Sequence, residues 1–196
     1  MVKLQDAGVM GYYTASGYSF QYTMFQLNTT DTGSIDRLIA PLKIHFDTYN
    51  ATVESSFLSS WMPAWYSIEK LYPAGGDAGT TRGVRATRLL SRRAVEDTEM
   101  FAKTLEIIGT RDKGYPDGVS SPSLSGTTTI SHREVDSALN PAWRKAFVHM
   151  ISSVSWTDGL PNSAAETAII TMTNGTGYAM RQLAPDSGVY YIEANS

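Results

Sequence analysis

Of the three histidines in the chain, one has a position from which it could do chemistry. Phe147, His149, Ile151, Ser153 and Ser155 alternate with Ala146, Val148, Met150, Val154 and Trp156. This period-two pattern predicts a central strand over 142–156 with His149 in its middle. In that place His149 is either a general base at the floor of a cavity or a core histidine whose hydrogen bonds are met within the protein. By contrast, His45 borders the apolar stripe of a helix, and His132 stands in a polar run beside Arg133 and Glu134. A second concentration of binding chemistry lies near the N-terminus, where Tyr18, Phe20, Tyr22 and Met24 alternate along one strand after Tyr12 in the strand before it. Such a stripe is either core or the aromatic wall of a ligand cavity or docking surface.

The elements that must position these residues follow from pattern and punctuation. A hairpin is predicted from Gly8–Thr14 and Tyr18–Asn28 around a Ser16-Gly17 turn. A helix follows, capped by Asp31 or Thr32, with the stripe Ile35, Leu38, Ile39, Leu42 and Phe46 and a kink at Pro41. Residues 52–59 read as a strand, WMPAWYSIEKLY as a short aromatic helix and PAGGDAGTTRG as a loop. Then come a strand over 84–91, a helix over 95–108 and a polar strand through SLSGTTTISH. Ser163 with Glu166 forms a capping box for a helix that stops at Asn174-Gly175, and a final strand follows Pro185. The order predicts one α+β domain over 1–196, a mostly antiparallel sheet with helices packed on one face. The other face, carrying Tyr12, Tyr18, Phe20 and Tyr22 or their register partners, is left to meet a ligand or a partner.

Composition narrows the function classes. With 196 residues, 42% of them apolar and 18% charged, the chain can bury a sizeable core. A net charge of -3 with no sustained basic stripe argues against nucleic acid as a partner. Cysteine is absent, which excludes disulfides, zinc-thiolate sites and a cysteine nucleophile. The sequence lacks GxGxxG after a strand, GxxxxGK[ST], HExxH and GxSxG, so no cofactor-binding or metal-ligating residue is assigned. No stretch has the length of a membrane span or the apolar core of a signal peptide. Sequons at Asn28, Asn50 and Asn174 nevertheless leave a secretory ancestry open beside a cytoplasmic location.

Two segments then carry a resemblance. The run ALNPAWRKAFVHM, followed some forty residues later by APDSGVYYIEANS, resembles the C-terminal half of fungal berberine-bridge-enzyme-like oxidases, flavoproteins of the vanillyl-alcohol-oxidase superfamily. In that family an Asn-Pro-x-Trp-Arg segment enters a sheet strand, and a Gly-x-Tyr-x-Asn-Glu-Ala motif marks the return toward the flavin. DAGVMGYYTASG and its hairpin are similar to the start of the family's substrate domain. The likeness spans nearly the whole chain but only part of a family member. One position departs, since Ile192 stands where the family motif has Asn.

What the resemblance implies is a substrate-binding domain without its flavin domain, FAD being the cofactor of full-length members and absent from this chain. His149 falls where plant relatives place a Glu or Gln acting on the substrate hydroxyl, and Tyr190 on the motif tyrosine. Removing hydride from an alcohol requires its proton to leave in step, which a near-neutral histidine or a lowered tyrosine can accept. Tyr12, Phe20, Tyr22 and Phe147 would line the cavity, with Arg144 neutralising an anionic substrate or pairing with Asp136. Two other uses of the same cavity follow. A cofactor-independent cyclase or pericyclase of fungal secondary metabolism needs only shape, an aromatic wall and one acid or base. An exposed sheet face also implies docking, to a separately encoded flavin domain or to a second copy as a homodimer.

Overall fold

The structure, a computed structural model, describes residues 2–16, 19–26, 31, 33–52, 82–109, 114–128 and 140–189. All of the predicted strand over 52–59 after its first residue, the aromatic helix and most of the glycine loop lie outside the described residues, as do His132, Asp136, Tyr190 and Ile192. Two compact units are present, Met1–Phe25 with Thr81–Ser196, and Gln26–Thr80.

In the larger unit, helix α1 (Val2–Asp6) leads into strands β1 (Val9–Ser16) and β2 (Ser19–Gln26), the expected hairpin. Strand β3 (Arg82–Leu90) is followed by helices α3 (Arg92–Glu96) and α4 (Thr98–Gly109). Strand β4 (Ser123–Thr127), helix α5 (Ala142–Lys145) and strand β5 (Val148–Trp156) come next. Helix α6 (Asn162–Thr171), a π-helical turn (Met172–Gly177) and helix α7 (Tyr178–Leu183) follow. The strands form one sheet in the order β2-β1-β4-β5-β3, with antiparallel pairing of β1 to β4, β4 to β5 and β5 to β3. The α+β expectation is borne out.

Strand alternation sets the core. Val84, Ala86 and Leu90 of β3 pair with Val154, Ser152 and Val148 of β5, all buried on the face packed by α4, the π turn and α7. Buried Arg88 on that face donates from Nε and Nη2 to the carbonyl of Ala184 at 2.9 and 2.6 Å and from Nη2 to that of Pro185 at 2.9 Å. A guanidinium thereby satisfies carbonyls left open at the end of α7. Beyond it, the Gly188 carbonyl accepts the Leu89 N–H at 3.0 Å, laying the chain along the free edge of β3.

Four boundaries differ from the sequence expectation. The strand foreseen from Ala142 starts only at Val148, because Asn140 Oδ1 accepts the Ala142 N–H at 2.9 Å and Pro141 opens a helical turn instead. The single helix over 95–108 is two, because Ser91 Oγ accepts the Ala94 N–H and Asp97 Oδ1 the Met100 N–H, two caps six residues apart. Asn174-Gly175 ends nothing: the chain passes through the π turn into α7. Met172, Thr176 and Gly177 are buried there, and a Cβ on Gly177 would lie 3.7 Å from that of Ala86. Packing on β3 outweighs the glycine stop. Nor does Ser163 cap α6, whose N-cap is Pro161.

The smaller unit contributes α2 (Ser34–Thr48), with Pro41 inside it. Its N-cap is Gly33 rather than Asp31 or Thr32, and Asp31 Oδ1 accepts the Gly33 N–H. Asn50 follows in the left-handed region at φ 57, accepted by the Asp47 carbonyl. Among the described residues no helix is long and apolar enough to cross a membrane.

Candidate active site on the helix-free face

His149 is the second residue of β5, and its register neighbours are Leu89 on one side and Thr127 on the other. Thr127 in turn opposes Tyr12, so Leu89, His149, Thr127 and Tyr12 form one row across four strands. Alternation turns this row away from the layer of α4, the π turn and α7, onto the face free of those elements, where the four-residue helix α5 packs at one end. The imidazole is only 5% exposed, and the Trp143 ring of α5 meets it edge-on, centroids 5.2 Å apart at 61°. Ala142 and Trp143 pack with buried Leu89 and Ala146, flanking the histidine with an apolar wall. Burial pulls its pKa down from 6.5 to about 4. The ring is therefore neutral at pH 7, with one nitrogen able to accept a proton.

The backbone beneath His149 is held from the helix side. Buried Tyr13 donates its hydroxyl to the His149 carbonyl at 3.4 Å, and burial pushes that phenol up, keeping it protonated. Gly126 makes this approach possible: a Cβ there would stand 1.9 Å from the His149 carbonyl oxygen and 2.7 Å from the Tyr13 hydroxyl.

The other sequence-predicted residues do not all converge on this face. Tyr12 does, at 52% exposure, with the Phe25 ring edge-on at 6.4 Å. Tyr22 lies on the opposite face, packed against the main core, its hydroxyl 2.7 Å from Thr128 Oγ1. Phe20 accompanies it, ring centroids 6.3 Å apart. The hairpin thus divides its aromatic residues between both faces. Phe147 also departs from His149: it precedes the strand, so alternation does not reach it. Its ring joins the main core under the Arg92 guanidinium at 4.7 Å. Arg144 is half-buried on α5, and Asp136 lies outside the described residues, as does Tyr190. The sequence signal for Trp143 is Asn140-Pro141 just before it, which marks the turn that folds it over the strand.

The rest of the helix-free face is rich in hydroxyls. Thr14, Ser125, Ile151 and Thr87 form the next row, and beyond it Ser123 and Ser153 share a 2.8 Å hydrogen bond beside Arg85. A cleft of about 430 Å³ lies elsewhere among Ser91, Arg93, Asp97, Lys145 and Asp186. That cleft is lined by exposed charged side chains, whereas the imidazole of His149 is buried. Among the described residues no cluster of three or more acidic or histidine side chains could hold a metal ion. Nor do they cradle a flavin's pyrophosphate: the glycines with positive φ, Gly8, Gly114, Gly118 and Gly126, are spread over separate turns and a strand, and none opens a long helix.

No family model matches the chain. It is 26% identical to the FAD-linked oxidoreductase hmp9 of Hypomyces subiculosus, over 98% of this chain and 32% of that protein. An FAD-linked oxidoreductase of Arthroderma benhamiae is 25% identical over 98% of this chain and 34% of its own. Among solved structures, the VAO-type flavoprotein MtVAO713 of Myceliophthora thermophila superposes with a TM-score of 0.77 at 17% identity, over 98% of this chain and 36% of that one. MtVAO615 of the same organism gives 0.63 at 17% identity, over 98% and 35%. The chain is therefore a relative of FAD-linked oxidoreductases that spans about a third of their length, with the fold that VAO-type flavoproteins carry over a matching third of theirs.

Proposed function

We propose that the chain is the substrate-facing part of a berberine-bridge-like, FAD-linked oxidoreductase acting on a small molecule, with His149 taking up the proton of the substrate hydroxyl. The observation that carries this reading is a buried, neutral imidazole on the sheet face opposite α4, the π turn and α7, edge-on to Trp143 of α5. Oxidising an alcohol carbon removes a hydride and a proton together, and the contribution of this chain is the proton acceptor, its orientation and the exclusion of water around it. Tyr13 and Gly126 fix the strand from behind, so the ring is positioned by backbone contacts independent of any ligand.

The test is His149→Gln, assayed with the FAD-bearing remainder present in the same polypeptide or supplied in trans. Turnover is expected to fall by roughly 10² to 10⁴ while the melting temperature above pH 7 stays nearly unchanged. Unchanged turnover in the folded variant removes His149 from the chemistry and shifts the role to Tyr190. A cofactor-independent cyclisation would rest on the same neutral base. Product mass separates the two, since cyclisation leaves it unchanged and oxidation removes two hydrogens.

A further inference from the structure

We propose that Thr87 contacts the substrate, and that the site it shares with His149 takes a molecule bearing oxygens on adjacent carbons, a vicinal diol or the corresponding hydroxy-carbonyl. The proposal rests on His149 facing the substrate, as set out above. Thr87 stands in the middle of β3, opposite Ile151 of β5 and two residues before Leu89, the cross-strand partner of His149. Alternation puts all four side chains on the helix-free face, with Thr87 and His149 as diagonal neighbours.

Two observations single out Thr87 on that face. It is 6% exposed, and its Oγ1 is buried with no hydrogen-bond partner in the protein. A buried hydroxyl of this kind is destabilising, and valine would fill the same space, with the same strand preference, without that cost. Ser152 Oγ is likewise buried without a partner, but on the helix-covered side, between Val148 and Val154 in a closed core. Among the described residues only Thr87 combines the orphaned hydroxyl with the face that carries the neutral imidazole and Trp143. Diagonal side chains in an antiparallel pair have Cβ atoms about 7 Å apart. With hydrogen bonds of about 2.8 Å reaching inward from both, two oxygens on adjacent carbons bridge that span, one at each group.

Catechol and phenol, which differ by one adjacent hydroxyl, test this by ligand-observed NMR titration. The wild-type chain is expected to bind catechol about tenfold more tightly than phenol. In Thr87→Val that preference falls to near unity with phenol affinity unchanged, and Thr87→Ser, which keeps the hydroxyl, restores it. The melting temperature of Thr87→Val is unchanged or higher, the opposite of what a structural hydroxyl would give. Equal affinities in the wild type, no measurable binding of either probe, or a preference that survives in Thr87→Val overturns the proposal. If His149→Gln loses the preference while Thr87→Val keeps it, the reading of His149 stands and that of Thr87 falls. If Thr87→Val loses it while His149→Gln leaves both probes unaffected, Thr87 stands and the reading of His149 falls.

Discussion

The two faces of β5 answer different demands within nine residues. Toward the helices, Val148, Met150 and Val154 are buried against side chains of the same unit, and their packing is complete. Away from them, His149, Ile151, Ser153 and Ser155 present a base, one aliphatic group and two hydroxyls, and Thr87 beside them buries a hydroxyl that the protein does not satisfy. The covered face of β5 is mostly apolar, with Ser152 its one buried hydroxyl. Its partner keeps polar groups in a partly desolvated setting that stability alone would have removed. Truncation should therefore cost far more on the first face than on the second. The largest effect is expected at Met150, which is 1% exposed between Gly126 of β4 and Arg88 of β3. Met150→Ala should lower unfolding free energy by about 2–5 kcal/mol in urea titration. A cost below about 1 kcal/mol would mean that the helical layer is not packed on this strand.

Much of this two-sidedness was legible in the sequence, because period-two alternation is a local signal. The hairpin, β3 and the inner part of β5 all announced themselves, as did the unusual place of His149. Local signals failed where tertiary contacts decided. Nothing in SGYSFQYTMF states which side of its strand meets the helices, so Tyr22 and Phe20 were assigned together with Tyr12, which faces the other way. Phe147 fits the alternation of β5 in sequence but precedes the strand, since the Asn140 cap and Pro141 turn 142–145 into helix. The same turn gives Asn140-Pro141-x-Trp143-Arg144 its physical meaning, by placing the indole on the histidine. Thr87 and Leu89 could not be connected with His149 without the register, because pairing between residues some sixty positions apart leaves no trace in one sequence.

The face that carries His149 should also declare itself through pH. A histidine at about 4 in the folded state and near 6.5 when unfolded takes up its proton first in the unfolded chain. Stability is therefore fully present above about pH 6.5 and is lost as pH falls toward 4, with a slope approaching about 1.4 kcal/mol per pH unit for one proton. Carboxylate protonation adds its own acid dependence, so the informative quantity is the difference between wild type and His149→Gln. Across pH 4 to 6.5 the wild type should lose stability faster than the variant, as measured by thermal melts at matched ionic strength. Parallel profiles would mean that the imidazole is solvated in the folded protein, and the base would then have an ordinary pKa.

The smallest expected effect is the sharpest check on the contrast between faces. Ser153 is half-buried on the helix-free side, and its hydroxyl shares one hydrogen bond with Ser123 at 2.8 Å. Ser153→Ala removes that bond from a site which water can reach, so the cost should stay within about 1 kcal/mol. Ser153→Val tests the point from the other side. It adds a β-branched group suited to a strand, and on a solvated face the gained propensity and the lost bond should nearly cancel. At Ser152, one residue earlier, the same substitution forces two methyl groups into a core already filled by Val148, Met150 and Val154, while it removes a buried hydroxyl that has no partner. Its outcome reports whether the crowding outweighs the relief of that hydroxyl. If Ser153→Val instead costs 2 kcal/mol or more in urea titration, residue 153 is enclosed as tightly as residue 152, and the helix-free face is a second core rather than a wall waiting for a ligand.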